Sequence, residues 1–254
     1  KNLSPSTPIR CHRLRCSRRP ISPNPTPPHT LKLLLLDRDG VVNADVGSPG
    51  VIRPSQLLLT PGAGRAVGRA QRDGCHVVLV TNQSCVGKGI IREDELGEIM
   101  AEVQRLLLEE DADASLDAIY ACTSVDGSGD PRMKPMPGMV LEACRDFGVE
   151  GGECAMVGDT ARDMQAAQAG GVESRVLVST GYGFSLMGDR LPSGKNEFIN
   201  SGKGMPPELS SSLPFVYTEN LASALNWLFG DDADTGTVHA STPKGEASAD
   251  QNII

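Results

Sequence analysis

The sequence predicts an α/β fold in which a parallel β-sheet is covered by helices on both faces. Short apolar runs alternate along the chain with segments whose apolar residues recur at helical spacing. This alternation favours a parallel sheet, because each helix returns the chain to the edge where the next strand begins. The runs are almost continuously apolar, which is typical of strands buried on both faces.

Five segments are predicted strands, and most of them end in polar residues. The predicted strands are Leu33–Leu36, Val77–Val80, Cys154–Val157, Arg175–Val178 and a last short one over Pro214–Thr218. The first is a run of four leucines that is too short for a free-standing helix. Ligands of parallel sheets bind outside the carboxyl ends of the strands, so the polar residues at those ends are the candidate site.

Helical patterns occupy the segments between the strands. Glu93–Glu110 places its apolar residues on one face. A helix from Pro61 to Arg72 is indicated by that proline near its start and by Gly74 just beyond its end. The other predicted helices are Gly138–Phe147, Asp163–Ala169 and Leu221–Phe229.

Two aspartates, Asp37 and Asp39, follow the first strand, and Gly40 permits the turn after them. Positions i and i+2 of a strand share one face, so the two carboxylates are expected to converge on a small volume. Carboxylates so placed repel each other unless a cation or a proton lies between them. This indicates a metal site, a nucleophile with a neighbouring acid, or both. Thr81 and Asp159 follow other strands and are expected in the same crevice.

Four motifs in order resemble those of the haloacid dehalogenase (HAD) superfamily. Asp37-Arg-Asp-Gly-Val resembles motif I, Thr81 motif II, Lys134 in Lys-Pro-Met-Pro-Gly-Met motif III, and Asp159 in Gly-Asp-Thr-Ala-Arg-Asp motif IV. The residues in and around these motifs are similar to those of subfamily IIIA, in particular to the D-glycero-D-manno-heptose 1,7-bisphosphate phosphatases and histidinol-phosphate phosphatases. The resemblance implies a Rossmann-like, HAD-like phosphatase domain over residues 31–229 without a large cap domain.

The resemblance also implies roles for individual residues. Asp37 would attack phosphorus and Asp39 would act as general acid and base. The residues expected to bind phosphate or the rest of the substrate are Thr81, Asn82, Gln83, Ser84, Lys134, Asn43, Asp45 and Arg132. The residues expected at a metal are Asp37, Asp39 through a backbone carbonyl near it, Asp159, and Asp163 as an orienting residue. Asn43 and Asp45 are equally interpretable as turn residues.

Mg²⁺ is the expected cofactor, and zinc is not expected. Many members of the resembling branch carry a zinc loop before motif III, but of its ligands only Cys122 is present here. Between His76 and His239 the chain has no histidine, so a four-ligand zinc site has no donors in this loop. Met133 stands where the family has arginine, and Arg132 is the candidate substitute. The loop faces the substrate in the family, so we expect it to control substrate choice.

The two ends of the chain differ in composition from its middle. Residues 1–30 contain six Lys or Arg, seven Pro and no acidic residue, so we expect a disordered leader that resembles a transit peptide, with a disordered basic tail or translated upstream sequence as alternatives. A transit peptide would place the protein in a plastid or mitochondrion; otherwise it would be cytoplasmic. We expect a long loop over residues 184–212, which are rich in Gly, Ser and Pro, and a disordered tail over 230–254.

Composition narrows the classes of partner. The net charge of −8 argues against general nucleic-acid binding, and the sequence has no apolar stretch long enough for a membrane span. Seven scattered cysteines argue against a disulfide framework. We expect a monomer, and the family resemblance implies that its partner is a small phosphate ester.

The best-matching function is Mg²⁺-dependent hydrolysis of a small phosphorylated metabolite, with a heptose 1,7-bisphosphate as first choice. Histidinol phosphate or another sugar phosphate is the alternative substrate. A non-catalytic phosphate-binding descendant is a second alternative, although all four motif residues are present. A glycosyltransferase could use Asp-x-Asp to hold a metal, but that interpretation leaves Lys134 and Asp159 unexplained.

Overall fold

The computed structural model describes residues 30–189, 192, 196–201 and 205–230. The predicted leader, apart from Thr30, and the predicted tail, apart from Gly230, lie outside the described residues. The strands are β1 (Leu33–Leu36), β2 (His76–Asn82), β3 (Ala118–Cys122), β4 (Cys154–Gly158), β5 (Ser174–Val178), β6 (Asn196–Ile199) and β7 (Phe215–Thr218). The five predicted strands are all present, several of them one to three residues longer or shorter than expected.

The helices also follow the sequence closely. They are α1 (Ala63–Arg72), α2 (Ser84–Gly87), α3 (Glu93–Glu110), α4 (Gly138–Phe147), α5 (Ala161–Ala169), α6 (Gly183–Leu186), α7 (Pro207–Ser210) and α8 (Leu221–Phe229), with short 3₁₀ turns at Pro54–Gln56 and Gly151–Glu153. α5 begins two residues earlier than predicted. A capping box explains this start, since the Thr160 side chain caps the first turn and the Asp163 carboxylate accepts from the Thr160 backbone N–H. Among the described residues, none of these helices is both long and apolar enough to cross a bilayer.

The strands form one seven-stranded sheet in the order β3-β2-β1-β4-β5-β7-β6. All neighbours are parallel except β6 and β7, which pair antiparallel. β1 lies between β2 and β4, with Leu36 beside Leu79 of β2 and Val157 of β4. The carboxyl ends of these three strands are therefore adjacent at one edge.

The core has two parts, one on each face of the sheet. Alternate residues of β1 point to opposite faces: Leu34 and Leu36 pack with residues of α1, α3 and α8, whereas Leu33 and Leu35 pack with residues of α4 and α5. The predicted fold class, a parallel sheet with helices on both faces, is confirmed. β1 is therefore buried on both faces up to Leu36, directly before Asp37.

Two strands were not predicted, and one predicted loop is partly wrong. β3 is an edge strand whose residues are mostly half-buried, so it lacks the apolar run of a central strand. β6 lies inside the expected long loop of 184–212, which also contains α7 and most of α6. The sequence Asn-Glu-Phe-Ile of β6 is extended because its backbone pairs with β7, a contact that local sequence does not encode.

Candidate active site

A pocket of about 160 Å³ opens at the carboxyl ends of β1, β2 and β4. Its lining residues are Asp37, Asp39, Asp45, Thr81, Asn82, Lys134, Asp159, Thr160, Arg162 and Tyr182. Three adjacent parallel strands deliver Asp37, Thr81 and Asp159 to this volume. The structure thus brings together residues that are far apart in the sequence.

Asp37 is held firmly at the first turn after β1. Its backbone N–H donates to the carbonyl of Val157 at 3.0 Å. Its carboxylate oxygen Oδ1 accepts from the backbone N–H of Arg38 at 2.7 Å and lies 2.9 Å from Nζ of Lys134. These contacts determine where the carboxylate points into the pocket.

Three buried carboxylates, those of Asp37, Asp159 and Asp163, have oxygen atoms within 4.8 Å of one another. Burial raises the pKa of Asp37 to about 7; repulsion from Asp163 adds to this effect, and the attraction of Lys134 opposes it. Burial likewise raises the pKa of Asp159 to about 9, with Asp37 and Asp163 adding repulsion. An all-oxygen set of acids that resist joint ionisation suits a hard divalent cation such as Mg²⁺.

Two glycines bring backbone close to the Asp159 carboxylate. A Cβ atom would lie 2.2 Å from Oδ2 of Asp159 at Gly40 and 2.0 Å from the same atom at Gly181, and both glycines have positive φ. The backbone N–H of Tyr182 donates to this oxygen at 2.8 Å. The loop after β5 therefore helps to hold Asp159 against the turn that carries Asp37.

Asp39 lines the pocket, but its carboxylate is outside the carboxylate cluster. It accepts hydrogen bonds from Nε and Nη2 of Arg38, from Nδ2 of Asn43 at 2.9 Å, and from Nε2 of Gln83 at 3.2 Å. Asp37 and Asp39 thus line the same pocket, but Asp39 is not part of the three-acid cluster, because the chain turns directly after β1.

Arg38 is a site residue that the sequence analysis missed. Its side chain is 0% exposed and forms an ion pair with Asp39 at 2.7 Å. Nη1 of Arg38 is buried without a hydrogen-bond partner among the described residues. The only available signal was a basic residue placed between two aspartates. Arg38 orients Asp39 from beneath the pocket.

The residues of motif II divide between the pocket and its support. Thr81 and Asn82 line the pocket. The Gln83 side chain is buried and donates to the Thr81 hydroxyl at 2.9 Å, so it links Thr81 to Asp39. Ser84 starts α2 and is not among the lining residues.

Lys134 is 3% exposed at the base of the pocket. Its Nζ donates to the carbonyl of Val80 at 2.8 Å and contacts both Asp37 and Asp163. Burial alone would lower the pKa of Lys134, but the attraction of Asp163 and Asp37 outweighs burial and the pKa is raised. The Asn82 side chain fixes the backbone of Lys134: its Nδ2 donates a hydrogen bond to the Lys134 carbonyl, and its Oδ1 accepts one from the Lys134 N–H. Lys134 is therefore a charged lysine that neutralises part of the cluster.

Arg132, a predicted substrate-binding residue, does not line the pocket. Its Nε pairs with Glu142 of α4 at 3.0 Å. Met133 is 7% exposed and packs in the core on the α4 and α5 face. Cys122 contacts Asp130, which also accepts from Ser124.

Asn43 and Asp45 take different places. Asn43 is buried and supports Asp39, rather than lining the pocket. Asp45 lines the pocket and also accepts from the backbone N–H of Gly47 at 3.1 Å, so it is both a turn residue and a pocket residue.

Arg162 and Tyr182 line the pocket without having been predicted. Arg162 lies in the first turn of α5, next to Asp163, and its Nη1 is 2.9 Å from Asp126. Tyr182 follows β5 and is half exposed. Arg162 lies within motif IV, but only the fold shows that these two residues reach the pocket.

Comparisons with known proteins agree with this geometry. Residues 31–171 match the family model of the haloacid dehalogenase-like hydrolases. D-glycero-beta-D-manno-heptose-1,7-bisphosphate 7-phosphatase of Haemophilus ducreyi is 34% identical over 165 residues, which is 63% of this chain and 89% of the relative. The enzyme of the same name from Bordetella bronchiseptica is 35% identical over 165 residues, which is 65% of this chain and 90% of that enzyme.

The solved structures that resemble this chain include phosphatases of the same kind. The crystal structure of D,D-heptose 1,7-bisphosphate phosphatase from B. bronchiseptica, complexed with magnesium and phosphate, is similar with a TM-score of 0.64 and 31% identity. The match covers 78% of this chain and 98% of that structure. The corresponding enzyme from Burkholderia thailandensis has a TM-score of 0.51 at 25% identity, over 78% of this chain and 99% of that structure.

Proposed function

This chain belongs to the haloacid dehalogenase-like hydrolases and is a phosphoric monoester hydrolase, and we propose that its substrate is D-glycero-D-manno-heptose 1,7-bisphosphate. The observation that carries the chemistry is the buried Asp37 carboxylate, which pairs with Lys134 and lies within 4.8 Å of oxygen atoms of the other two acids of the cluster. The substrate follows from the relatives, which bear that activity in their names. Their names also lead us to propose that the 7-phosphate is the one removed.

In the first step, an Asp37 carboxylate oxygen attacks phosphorus, and the bond from phosphorus to the ester oxygen breaks. Asp39 donates a proton to the departing alkoxide. Four hydrogen bonds from Arg38 and Gln83 and a fifth from Asn43 hold the Asp39 carboxylate at the pocket wall for this transfer.

In the second step, water attacks the aspartyl-phosphate on Asp37 while Asp39 takes the proton from that water. The bond from phosphorus to Asp37 breaks, and inorganic phosphate leaves with the free carboxylate restored. Lys134 and the Thr81 hydroxyl bind the transferring phosphoryl oxygens throughout. The buried, preorganised position of Lys134 means that little rearrangement is needed during the reaction.

The cluster of Asp37, Asp159 and Asp163 fits Mg²⁺, because three carboxylates in one buried volume need a positive charge that Lys134 alone does not supply. When bound there, Mg²⁺ would neutralise phosphate charge and align the ester with Asp37. Asp163 also bonds Lys134 and the N-terminus of α5, so its second role is to orient the site.

We expect activity to disappear in EDTA and to return when excess Mg²⁺ is added, because the cluster repels a phosphate dianion unless a cation is present. We further propose that the protein holds no structural zinc, since Cys122 has an aspartate and a serine as neighbours in its loop. Elemental analysis of the purified protein checks the second point. One tightly held zinc per chain would contradict it.

The substrate assignment is tested by a panel of phosphate esters assayed at one Mg²⁺ concentration. We expect the highest kcat/KM for the heptose 1,7-bisphosphate, because the relatives carry that specificity in their names. Phosphorus NMR of the product shows which phosphate has left, and the 1-phosphate should remain. A higher value for histidinol phosphate or a sugar monophosphate would replace the proposed substrate but not the chemistry.

A further inference from the structure

The pocket contains two cations among its described lining residues, Lys134 and Arg162. Nζ of Lys134 contacts the carbonyl of Val80 and the carboxylates of Asp37 and Asp163. It lies at the base, where the transferred phosphoryl group must bind. A second anionic group on the same substrate would therefore have to meet a different cation.

Arg162 has the position and freedom that such a role requires. It sits in the first turn of α5, one residue before Asp163, and its side chain is 51% exposed. Its guanidinium therefore stands at the open part of the pocket rather than at the base. Arginine presents a planar set of donors that matches phosphate with two parallel hydrogen bonds.

In the structure, the Arg162 guanidinium is paired with Asp126 at 2.9 Å. Asp126 belongs to the loop after β3, whereas Arg162 lies in the first turn of the helix after β4. Strands β2 and β1 lie between β3 and β4 in the sheet. The pair therefore joins the two sides of the nucleophile strand. An exposed ion pair of this kind contributes little to stability, so an incoming dianion can take the place of the Asp126 carboxylate.

We propose that Arg162 is a specificity-determining residue that binds the second, non-transferred phosphate of a bisphosphate substrate, and that Asp126 occupies the guanidinium when no substrate is bound. The inference rests on the proposed phosphatase activity and names a residue that selects its substrate. Among the described residues that line the pocket, Arg162 is the arginine; Arg132 is not one of them, and its Nε pairs with Glu142.

The test compares a sugar bisphosphate with the matching monophosphate, for example fructose 1,6-bisphosphate and fructose 6-phosphate, in addition to the heptose bisphosphate. We expect Arg162→Gln to lower kcat/KM for the bisphosphate by about tenfold to a hundredfold, the effect of one charge-assisted interaction, and to lower it less for the monophosphate. Arg162→Lys should retain part of the preference for the bisphosphate over the monophosphate. Asp126→Asn should increase this preference, because it removes the negative charge that competes with the substrate phosphate for Arg162.

Arg145→Gln is the matched control, since Arg145 is an exposed arginine paired with an aspartate at 3.0 Å on α4, outside the pocket. Calorimetric binding of the same two sugars in an Asp37→Asn background measures the preference without turnover, so a wrong substrate assignment does not affect it. A bisphosphate-to-monophosphate ratio that is the same in Arg162→Gln and Arg145→Gln would overturn the proposal.

Discussion

Replacing Asp37 with asparagine is expected to lower kcat by about four orders of magnitude or more, the scale on which other covalent catalysts respond to loss of the nucleophile. An amide oxygen cannot form the aspartyl-phosphate, and among the described residues that line the pocket Asp37 is the acid whose carboxylate contacts Lys134. The change should leave the fold intact. Asparagine has nearly the same shape, and removing one of three crowded negative charges relieves repulsion.

The measurement is steady-state hydrolysis of a generic phosphate ester, together with a thermal melt of each variant. Asp94→Asn is a suitable control, because Asp94 is an exposed aspartate in the first turn of α3 that pairs with Arg92 on the surface. We expect that control to keep both activity and melting temperature. Substantial turnover by the Asp37→Asn protein at an unchanged melting temperature would mean that another residue is the nucleophile.

Replacing Lys134 with methionine is expected to lower both activity and stability. The loss of a preorganised cation at the transferring group should lower kcat by about a hundredfold to a thousandfold. Removing one partner of a buried ion pair should lower the free energy of unfolding by about 3–5 kcal/mol, because Asp37 and Asp163 are left buried without it. The stability loss should be measured in EDTA by chemical denaturation.

Mg²⁺ should restore more stability to the Lys134→Met protein than to the unmodified chain, because the cation then neutralises charge that Lys134 neutralised before. Lys32→Met provides the control: Lys32 pairs with Glu153 at the surface, and its loss should cost less than about 1 kcal/mol. If the two variants were equally stable in EDTA, the buried lysine would not be what balances the carboxylate cluster.

The sequence predicted the central part of the fold well and its margins poorly. β1 and helices α3 and α4 have the predicted boundaries, because their apolar spacing and end signals are local. β3 and β6 escaped prediction because each lies at an edge of the sheet and owes its extended shape to one neighbouring strand. Edge strands do not need the apolar residues on both faces by which central strands are recognised.

The candidate site shows the same limit at the level of side chains. The position of Asp37, Thr81 and Asp159 followed from strand ends, which are a property of the chain order. The direction of a side chain after a turn does not follow from spacing. The sequence therefore did not indicate that Arg132 pairs with Glu142, or that Arg38 pairs with Asp39. Arg162 was missed for the same reason, since its approach to the pocket depends on the helix start at Ala161.

The close approach of Gly40 and Gly181 to the Asp159 carboxylate bears on how the activity of distant relatives should be inferred from their sequences. A side chain at either position would displace that carboxylate, although every acidic and basic residue of the pocket would still be present. A descendant could therefore lose its cation and its activity through a change at a residue that carries no functional group. A prediction of activity from the charged pocket residues alone would therefore count some inactive relatives as enzymes. The residues at the positions of Gly40 and Gly181 should be compared as well.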